Sequence, residues 1–292
     1  AGLISPRSVV RSHFPLPIIM KNIKKFFKSS PKYSIKWSNY FDIYQNLFKR
    51  FINKKIILVE VGIGDGGSLF MWRNFFGKKA QIIGVELNPD AKKLEKYGFK
   101  IFIGDQSDPN FWKNFYKKIG KIDILIDDGG HTNLQQITTL MQSIRYLNYG
   151  GIIAIEDTHT SFMRDKGFKN PSKFSLINFT TLLIETMHRR NPMLKKEINF
   201  FSKRIQSLEY YDSITVINIS KNKLTKSKNL ENNKKLRNLF DDFRYKKEKN
   251  ITTHEEDNFF LNYIKQKVSK RSYLYRIYEN SVIKRYIKLL KK

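Results

Sequence analysis

The stretch KKIILVEVGIGDGGSLF, residues 54–70, carries the features that decide the fold of this chain. It starts with a short run of aliphatic and β-branched residues flanked by lysines, which predicts a strand buried on both faces. Glycines follow at positions 62, 64, 66 and 67, and a helical pattern runs from Ser68 to about Phe76. A strand, a glycine-rich turn and a helix in this order predict an α/β unit whose turn can approach a ligand closely.

The segments after this unit repeat the alternation of strand and helix. Predicted strands are AQIIGVEL (80–87), FKIFIGD (99–105), KIDILIDD (121–128) and GGIIAIED (150–157), with helices predicted at 91–98, 110–120 and 134–147. Further helices are predicted at 37–51 and 174–188, and EYYDSITVINI (209–219) predicts a late antiparallel strand at the sheet's far edge. Strands that alternate with helices on short connections indicate a doubly wound, mostly parallel sheet.

The net charge of +29 is concentrated at the two ends of the chain. Residues 1–50 carry +9 and residues 221–292 carry +13. Basic flanks of this kind can contact nucleic acid or an anionic membrane surface, and they can equally reflect AT-rich coding. Residues 1–19 are predicted to be a targeting segment or an upstream or vector-derived extension, residues 20–52 a basic helical segment, 53–220 the main domain, and 221–292 a basic helical extension.

Composition limits the class of protein and its compartment. The chain has no cysteine, so it has neither disulfides nor thiolate metal sites, and a reducing, cytoplasmic compartment is expected. No apolar run reaches the roughly 18 residues that a transmembrane helix needs. The sequence therefore predicts a chain without a membrane span, which can still touch a membrane surface through its basic ends.

Acidic residues end all five predicted parallel strands. They are Glu60, Glu86, Asp105, Asp127 with Asp128, and Glu156 with Asp157. Ligands of such sheets bind beyond the carboxyl ends of the strands. The sequence therefore predicts an acidic rim that faces a ligand.

The glycine-rich turn is compatible with two kinds of nucleotide. Gly62, Gly64 and Gly67 satisfy the dinucleotide pattern, whereas Glu60, Gly62, Gly64 and Gly66 satisfy E-x-G-x-G-x-G, the first motif of class I S-adenosylmethionine methyltransferases. A pyrophosphate repels carboxylates, while the sulfonium and ammonium of S-adenosyl-L-methionine are attracted to them. The acidic rim therefore favours S-adenosyl-L-methionine over NAD, and a plain tight turn stays open as the structural alternative.

In this interpretation two further acids would contact the cofactor. Glu86 lies about 20 residues beyond the glycines, where it can accept hydrogen bonds from the ribose diol. Asp105, which ends the third strand, can approach the adenine edge. Asp127 is assigned either to the cofactor side or to structure.

The block from Lys36 to Ser161 resembles the metal-dependent sugar O-methyltransferases of the macrocin and mycinamicin type, with their cephalosporin and rhamnosyl relatives. The resemblance is carried by KWSNYFDIYQNLF (36–48), GDQSDP (104–109), IDDGGHTNLQQI (126–137) and GGIIAIEDTHTS (150–161). It implies a Rossmann-like seven-stranded methyltransferase sheet, S-adenosyl-L-methionine and Mg²⁺ or Mn²⁺ as cofactors, a sugar-containing acceptor and a homo-oligomer. Gly130 and Gln135 depart from the family pattern, which often has serine and histidine there.

The resemblance also assigns roles to particular residues. It implies that Asp128, Glu156 and Asp157 bind the metal and that His131 is the general base. The chemistry needs such groups, because a sugar hydroxyl is a poor nucleophile until a base or a metal removes its proton. Each residue also has a simpler interpretation: Asp128 as a helix cap, His131 as a capping or solvated side chain, and the acids as strand ends.

The acceptor and the partners are less closely defined by the sequence. His159 is a candidate for the acceptor pocket. The expected acceptor is a sugar hydroxyl in a glycan, a lipid-linked saccharide or a glycosylated metabolite. The alternative function is that of a nucleic-acid-associated protein. It would be either an RNA methyltransferase or an inactive methyltransferase fold that binds RNA or the ribosome through its basic flanks.

Overall fold

A computed structural model describes residues 22–163 and 175–230 of the chain. These residues form a seven-stranded sheet flanked by helices. The strands are β1 (Ile57–Val61), β2 (Gln81–Glu86), β3 (Lys100–Ile103), β4 (Ile122–Asp127), β5 (Leu147–Ile155), β6 (Ile205–Tyr211) and β7 (Ile214–Ile219). The helices are α1 (Ile23–Lys28), α2 (Tyr40–Phe48), α3 (Gly67–Phe76), α4 (Pro109–Ile119), α5 (Asn133–Ser143) and α6 (Leu176–His188).

The sheet has the order β3-β2-β1-β4-β5-β7-β6. The first five strands are parallel, and β7 is antiparallel to both β5 and β6. The strand order reverses between β1 and β4, which is the point where ligands bind in doubly wound sheets. The predicted fold class, a doubly wound and mostly parallel seven-stranded sheet, is confirmed.

Both faces of the sheet are covered by a packed core. Neighbouring residues of β1 point to opposite faces, so that Leu58 packs with α1, α2 and α3, while Val59 and Val61 pack with α4, α5 and α6. The largest buried side chains include Trp72 of α3 and Trp112 of α4, both with no exposed surface. Each fully buried large apolar side chain contributes roughly 1.5–3 kcal/mol, which explains the continuous apolar runs of the parallel strands.

Helix ends follow the capping residues in the sequence. Asp108 caps α4 and Pro109 takes its first position, where a missing N–H costs nothing. Thr132 and Gln135 form a capping box at the start of α5, so Asp128 is not the cap of that helix. The Gln135 amide also occupies the space beside Gly130, where an added Cβ would lie 2.2 Å from it.

Several element predictions differ from the structure. The predicted late strand is a hairpin, in which β6 and β7 are joined at Asp212 and Ser213, and Ser213 has φ +64°. The helix predicted at 91–98 is a 3₁₀ segment, Pro89–Tyr97. The helix predicted at 134–147 ends at Ser143, because Leu147 already begins β5.

The segment between α1 and α2 packs closely on the start of α3. The Gly67 N–H donates to the Tyr33 carbonyl at 3.2 Å, and the Ser30 hydroxyl donates to the Gly67 carbonyl at 2.8 Å. An added Cβ at Gly67 would lie 2.5 Å from the carbonyl oxygens of Lys32 and Tyr33. The glycine therefore permits a close approach that brings residues 33–40 to the carboxyl ends of the strands.

The chain divides into two compact units, Ala1–Lys228 and Asn229–Lys292. The described residues fall almost entirely in the first unit, which contains the whole sheet. The predicted extension at 1–19 and the basic extension beyond residue 230 lie outside the described residues. Across the part of the chain that the structure describes, no helix is long and apolar enough to cross a bilayer.

Candidate active site

A cavity of about 770 Å³ opens at the carboxyl ends of the parallel strands. Its walls come from the glycine loop, from the loops after β2, β3, β4 and β5, and from residues 33–40. Predicted site residues that line it are Gly62, Gly64, Glu86, Asp105, Asp128, His131, Glu156 and Asp157. One cavity thus joins the predicted cofactor loop to the predicted catalytic acids.

The glycine loop is held in shape by Glu86 at the end of β2. One Glu86 oxygen accepts hydrogen bonds from the Ile63 and Gly64 N–H groups at 3.1 Å each. Its other oxygen accepts from the Leu87 and Asn88 N–H groups at 2.8 and 3.1 Å, so a diol bound here would share the carboxylate with four backbone donors. Gly62 has φ +76°, and an added Cβ there would lie 2.1 Å from the Asp128 carbonyl oxygen. The loop therefore needs this glycine for its own packing.

The predicted cofactor residues separate into those that line the cavity and those that lie behind it. Glu60 and Asp127 have no exposed surface and are not part of the cavity wall, and neither is Gly66, which precedes α3 with φ +85°. Burial raises the pKa of both Glu60 and Asp127. The Asp127 carboxylate accepts hydrogen bonds from the Gln106 side chain at 2.9 Å and the Gly129 N–H at 3.2 Å. A contribution of Glu60, Gly66 and Asp127 to cofactor binding stays a prediction. Because these residues lie behind the cavity wall, they would contribute by fixing the loops that line it.

Asp128, His131 and Asp157 converge in the other half of the cavity. One ligand atom from each lies within 4.8 Å of those of the other two. His131 Nε2 is 3.3 Å from Asp157 Oδ2 and 4.0 Å from Asp128 Oδ1. Both His131 and Asp157 have left-handed backbones, with φ +58° and +53°. Such conformations are uncommon outside glycine, and two of the three residues of this group adopt them.

The donor atoms of this group suit a small hard cation. The Asp128 and Asp157 side chains are 21% and 18% exposed, so a cation can reach their oxygens from the cavity. Carboxylate oxygens are the ligands that Mg²⁺ and Mn²⁺ prefer, and Mg²⁺ commonly takes one or two carboxylates and completes its shell with water. These residues therefore fit the implied metal.

Glu156 lies in a different environment from the two aspartates. Its side chain is 1% exposed, and its Oε1 accepts hydrogen bonds from the Lys36 ammonium at 2.8 Å and from the Tyr44 hydroxyl. Burial raises the pKa of Glu156 to about 8, and the positive charge of Lys36 opposes that shift. Glu156 is not a member of the group formed by Asp128, His131 and Asp157.

Lys36 lies in the candidate site and was missed by sequence reasoning. Its side chain is completely buried, and its Nζ lies 2.8 Å from Asp128 Oδ2, 2.8 Å from Glu156 Oε1 and 3.5 Å from Glu60 Oε1. Burial disfavours the charged ammonium, but attraction to Glu156, Asp128 and Glu60 outweighs it and raises the pKa of Lys36 well above its ordinary value. The only sequence signal is its place at the head of the motif KWSNYF.

Two aromatic residues of the same segment hold Asp157. Its Oδ1 accepts hydrogen bonds from the Trp37 indole at 3.0 Å and the Tyr40 hydroxyl at 2.7 Å. Burial raises the pKa of Tyr40, so this phenol stays a donor. His159 is at the edge of the site, with Nδ1 3.0 Å from the Ser213 hydroxyl and 3.9 Å from Asp157 Oδ1, and it is not part of the cavity wall.

The sheet order, the glycine loop and the cavity together define a Rossmann-like methyltransferase fold. Solved structures of the mycinamycin-pathway methyltransferase MycE share it: the complex with Mg and SAH matches with a TM-score of 0.59 at 22% identity, over 69% of this chain and 54% of that one. The complex that also contains mycinamycin VI matches with a TM-score of 0.60 at 23% identity, over 69% of this chain and 53% of that one. No protein-family model matches the chain.

Curated sugar O-methyltransferases are similar in sequence. The 8-demethyl-8-alpha-L-rhamnosyl tetracenomycin-C 2'-O-methyltransferase of Streptomyces olivaceus is 30% identical over 165 residues, 53% of this chain and 43% of that protein. The mycinamicin VI 2''-O-methyltransferase of Micromonospora griseorubida is 31% identical over 126 residues, 41% of this chain and 31% of that protein. These matches confirm the resemblance seen in the motifs. The matched regions span less than half the length of these relatives.

Proposed function

We propose that this protein is an S-adenosyl-L-methionine-dependent, divalent-metal-assisted O-methyltransferase that acts on a sugar hydroxyl. The observation that carries the proposal is the single cavity that joins the glycine loop to Asp128, His131 and Asp157. The names of the curated relatives support a sugar-containing acceptor. The acceptor would be a glycan, a lipid-linked saccharide or a glycosylated metabolite.

The cofactor would lie along the glycine loop. Gly62 and Gly64 would let the backbone approach it, Glu86 would accept hydrogen bonds from the ribose diol, and Asp105 would approach the adenine. The cavity carries an excess of carboxylates, which attract the sulfonium and ammonium of S-adenosyl-L-methionine. Glu60, Gly66 and Asp127 would contribute by fixing the loops around it.

Asp128 and Asp157, with Glu156 as the third ligand that the resemblance implies, would hold the metal ion, and a divalent ion held in this way would lower the pKa of a hydroxyl bound to it. His131 would accept the hydroxyl proton, which makes its imidazole cationic. Asp157 at 3.3 Å and Asp128 at 4.0 Å stabilise that positive charge. The acceptor oxygen would then attack the methyl carbon, the bond from sulfur to that carbon would break, and S-adenosylhomocysteine would leave as a neutral thioether.

Other predicted partners stay proposals. A homo-oligomer is implied by the resemblance alone. Contacts of the basic flanks with an anionic membrane or with nucleic acid fall largely on residues outside the described ranges. His159 would face the acceptor only at the rim of the site, because its ring is outside the cavity wall.

The proposal is tested by methyl transfer from radiolabelled S-adenosyl-L-methionine to a panel of rhamnosides and other glycosides, with and without EDTA. We expect EDTA and Asp128→Asn each to abolish transfer, while S-adenosylhomocysteine still binds in calorimetry. Asp90→Asn is the matched control, because Asp90 is an exposed acid that forms an ion pair with Lys93 across one turn. Full transfer in EDTA, or by Asp128→Asn, would remove the metal site from the mechanism.

A further inference from the structure

The β4–α5 loop, residues 128–132, carries two of the proposed functional groups on an unusual backbone. Asp128 and His131 belong to this loop, Gly129 and Gly130 separate them, and His131 has φ +58°. A left-handed backbone at a histidine is uncommon, and it persists only where neighbouring groups fix it. This inference rests on the proposed function, and it concerns the side chain that fixes the loop.

Gln106 reaches the β4–α5 loop from the turn that follows β3. Its side-chain oxygen accepts a hydrogen bond from the Gly130 N–H at 2.8 Å. Its side-chain nitrogen donates to Asp127 Oδ1 at 2.9 Å and to the Thr139 hydroxyl at 3.1 Å. Because a backbone N–H can only donate, the amide oxygen must be the atom that faces the loop. Gln106 is 6% exposed, so these bonds are largely shielded from water.

The position of Gln106 is fixed from behind, and Gly129 makes room for it. The Gln106 carbonyl accepts a hydrogen bond from the Trp112 indole at 2.8 Å, and Trp112 has no exposed surface. An added Cβ at Gly129 would overlap the side-chain oxygen of Gln106. The Gly129 N–H also donates to Asp127 Oδ1 at 3.2 Å. The glutamine, the aspartate and the loop backbone thus form a closed ring of hydrogen bonds.

The two ends of the loop are held by other groups. At the first end, the Asp128 N–H donates to the Val61 carbonyl at 2.9 Å. At the second end, the Thr160 hydroxyl donates to the His131 carbonyl at 2.9 Å. The two glycines lie between these points, and glycine restricts its own backbone less than any other residue. The bond from Gln106 therefore holds the part of the loop that its own sequence restrains least.

We propose that Gln106 is a positioning residue that holds the β4–α5 loop in the shape in which Asp128 and His131 face the cavity. It acts through its bonds to the Asp127 side chain and to the Gly130 N–H. Without these bonds the two glycines would sample other backbone conformations, and the two functional groups would be displaced from the metal site.

Gln106→Met tests this role, because methionine has a similar length but no amide group. With S-adenosylhomocysteine present, we expect calorimetry to show Mn²⁺ affinity lowered by about 10–100-fold, the usual range for losing an outer partner of a metal ligand. Thr139→Val is the matched control, since it removes a bond of the same amide nitrogen and leaves both bonds to the loop side. We expect its Mn²⁺ affinity to stay within about threefold of wild type.

Both variants must show cooperative urea unfolding, so that a loss of Mn²⁺ affinity reports the site and not the fold. Wild-type Mn²⁺ affinity in a folded Gln106→Met variant would overturn the inference, and so would an equal loss in Thr139→Val. A wild-type protein that binds no Mn²⁺ would instead contradict the proposed function.

Amide hydrogen exchange followed by NMR observes the key bond without a metal ion. In the wild-type protein we expect the Gly130 N–H to exchange at least about tenfold more slowly than in an unstructured peptide, and in Gln106→Met at nearly the unstructured rate. The Gly120 N–H, which donates to the Tyr116 carbonyl at 2.8 Å, should stay protected in both proteins.

The exchange measurement also decides the matter if Gln106→Met does not fold or if the wild-type protein binds no Mn²⁺. Unprotected exchange of the Gly130 N–H in the wild-type protein would show that Gln106 does not hold the loop. Equal protection of the Gly130 N–H in a folded Gln106→Met variant would show that another group holds it.

Discussion

The two possible roles of His131 make different demands on the metal site. As the general base, His131 would be needed for proton removal and not for binding of the ion. As a ligand, it would be needed for both. Its Nε2 lies 3.3 Å from Asp157 Oδ2, a distance compatible with either role.

We expect His131→Ala to lower kcat by about 10²–10⁴-fold, the usual contribution of a positioned base, while Mn²⁺ affinity stays near that of wild type. Calorimetry with Mn²⁺ and single-turnover methyl transfer measure the two quantities separately. His188→Ala is the control, because His188 is exposed at the end of α6. A large loss of Mn²⁺ affinity in His131→Ala would make the histidine a ligand and would require another base.

Individual site residues differed in how far the sequence could predict them. Asp128, His131 and Asp157 follow the ends of neighbouring strands β4 and β5, so strand prediction alone brings them together. Lys36 is 92 residues from Asp128 and 120 from Glu156 along the chain. Its contacts depend on the path of residues 30–40 over α3, which no local pattern encodes. Lysine side chains are almost never fully buried unless they are paired, so the burial of Lys36 could not be anticipated.

Secondary-structure elements were predictable where one physical signal dominated. The five parallel strands are nearly continuous apolar runs, because both of their faces are covered. The hairpin of β6 and β7 was missed because its turn, Asp212 and Ser213, lacks the glycine that usually marks a left-handed position. Helix α2 begins at Tyr40, three residues after the predicted start at Trp37, whose indole bonds to Asp157 instead.

The close packing of residues 30–40 on α3 leads to an element-level prediction. Gly67→Ala should push the Lys32 and Tyr33 carbonyls away, because the new Cβ would lie 2.5 Å from both. We expect a loss of roughly 1–3 kcal/mol in the free energy of unfolding, as in other overpacked sites, together with weaker Mn²⁺ binding as Lys36, Trp37 and Tyr40 shift. Urea unfolding and calorimetry would measure these two effects.

Gly120→Ala is a suitable control for this variant. Gly120 has φ +75° and nothing within 4 Å of an added Cβ, so alanine there adds backbone strain without a clash. We expect it to lower stability by about 1 kcal/mol and to leave Mn²⁺ binding unchanged. If Gly67→Ala also left Mn²⁺ binding unchanged, the path of residues 30–40 would not control the metal site.

At the scale of the whole molecule, the candidate site is contained in a limited part of the chain. Among the residues that the structure describes, those that line the cavity lie between Tyr33 and Asp157. The sheet that positions them ends with β7 at Ile219, and the first compact unit ends at Lys228. Cofactor and metal binding should therefore be properties of this unit, whereas the basic residues beyond it could serve the acceptor or another partner.

A chain shortened to residues 1–228 should therefore bind S-adenosylhomocysteine and Mn²⁺ with dissociation constants within about threefold of those of the full chain, a difference below 1 kcal/mol. Calorimetry would measure both constants, and cooperative urea unfolding would show that the shortened chain is folded. Loss of either ligand by a folded chain of this length would show that residues 229–292 contribute to the site. Retained binding with lost methyl transfer would instead assign residues 229–292 to the acceptor, because the proposed catalytic groups precede residue 158.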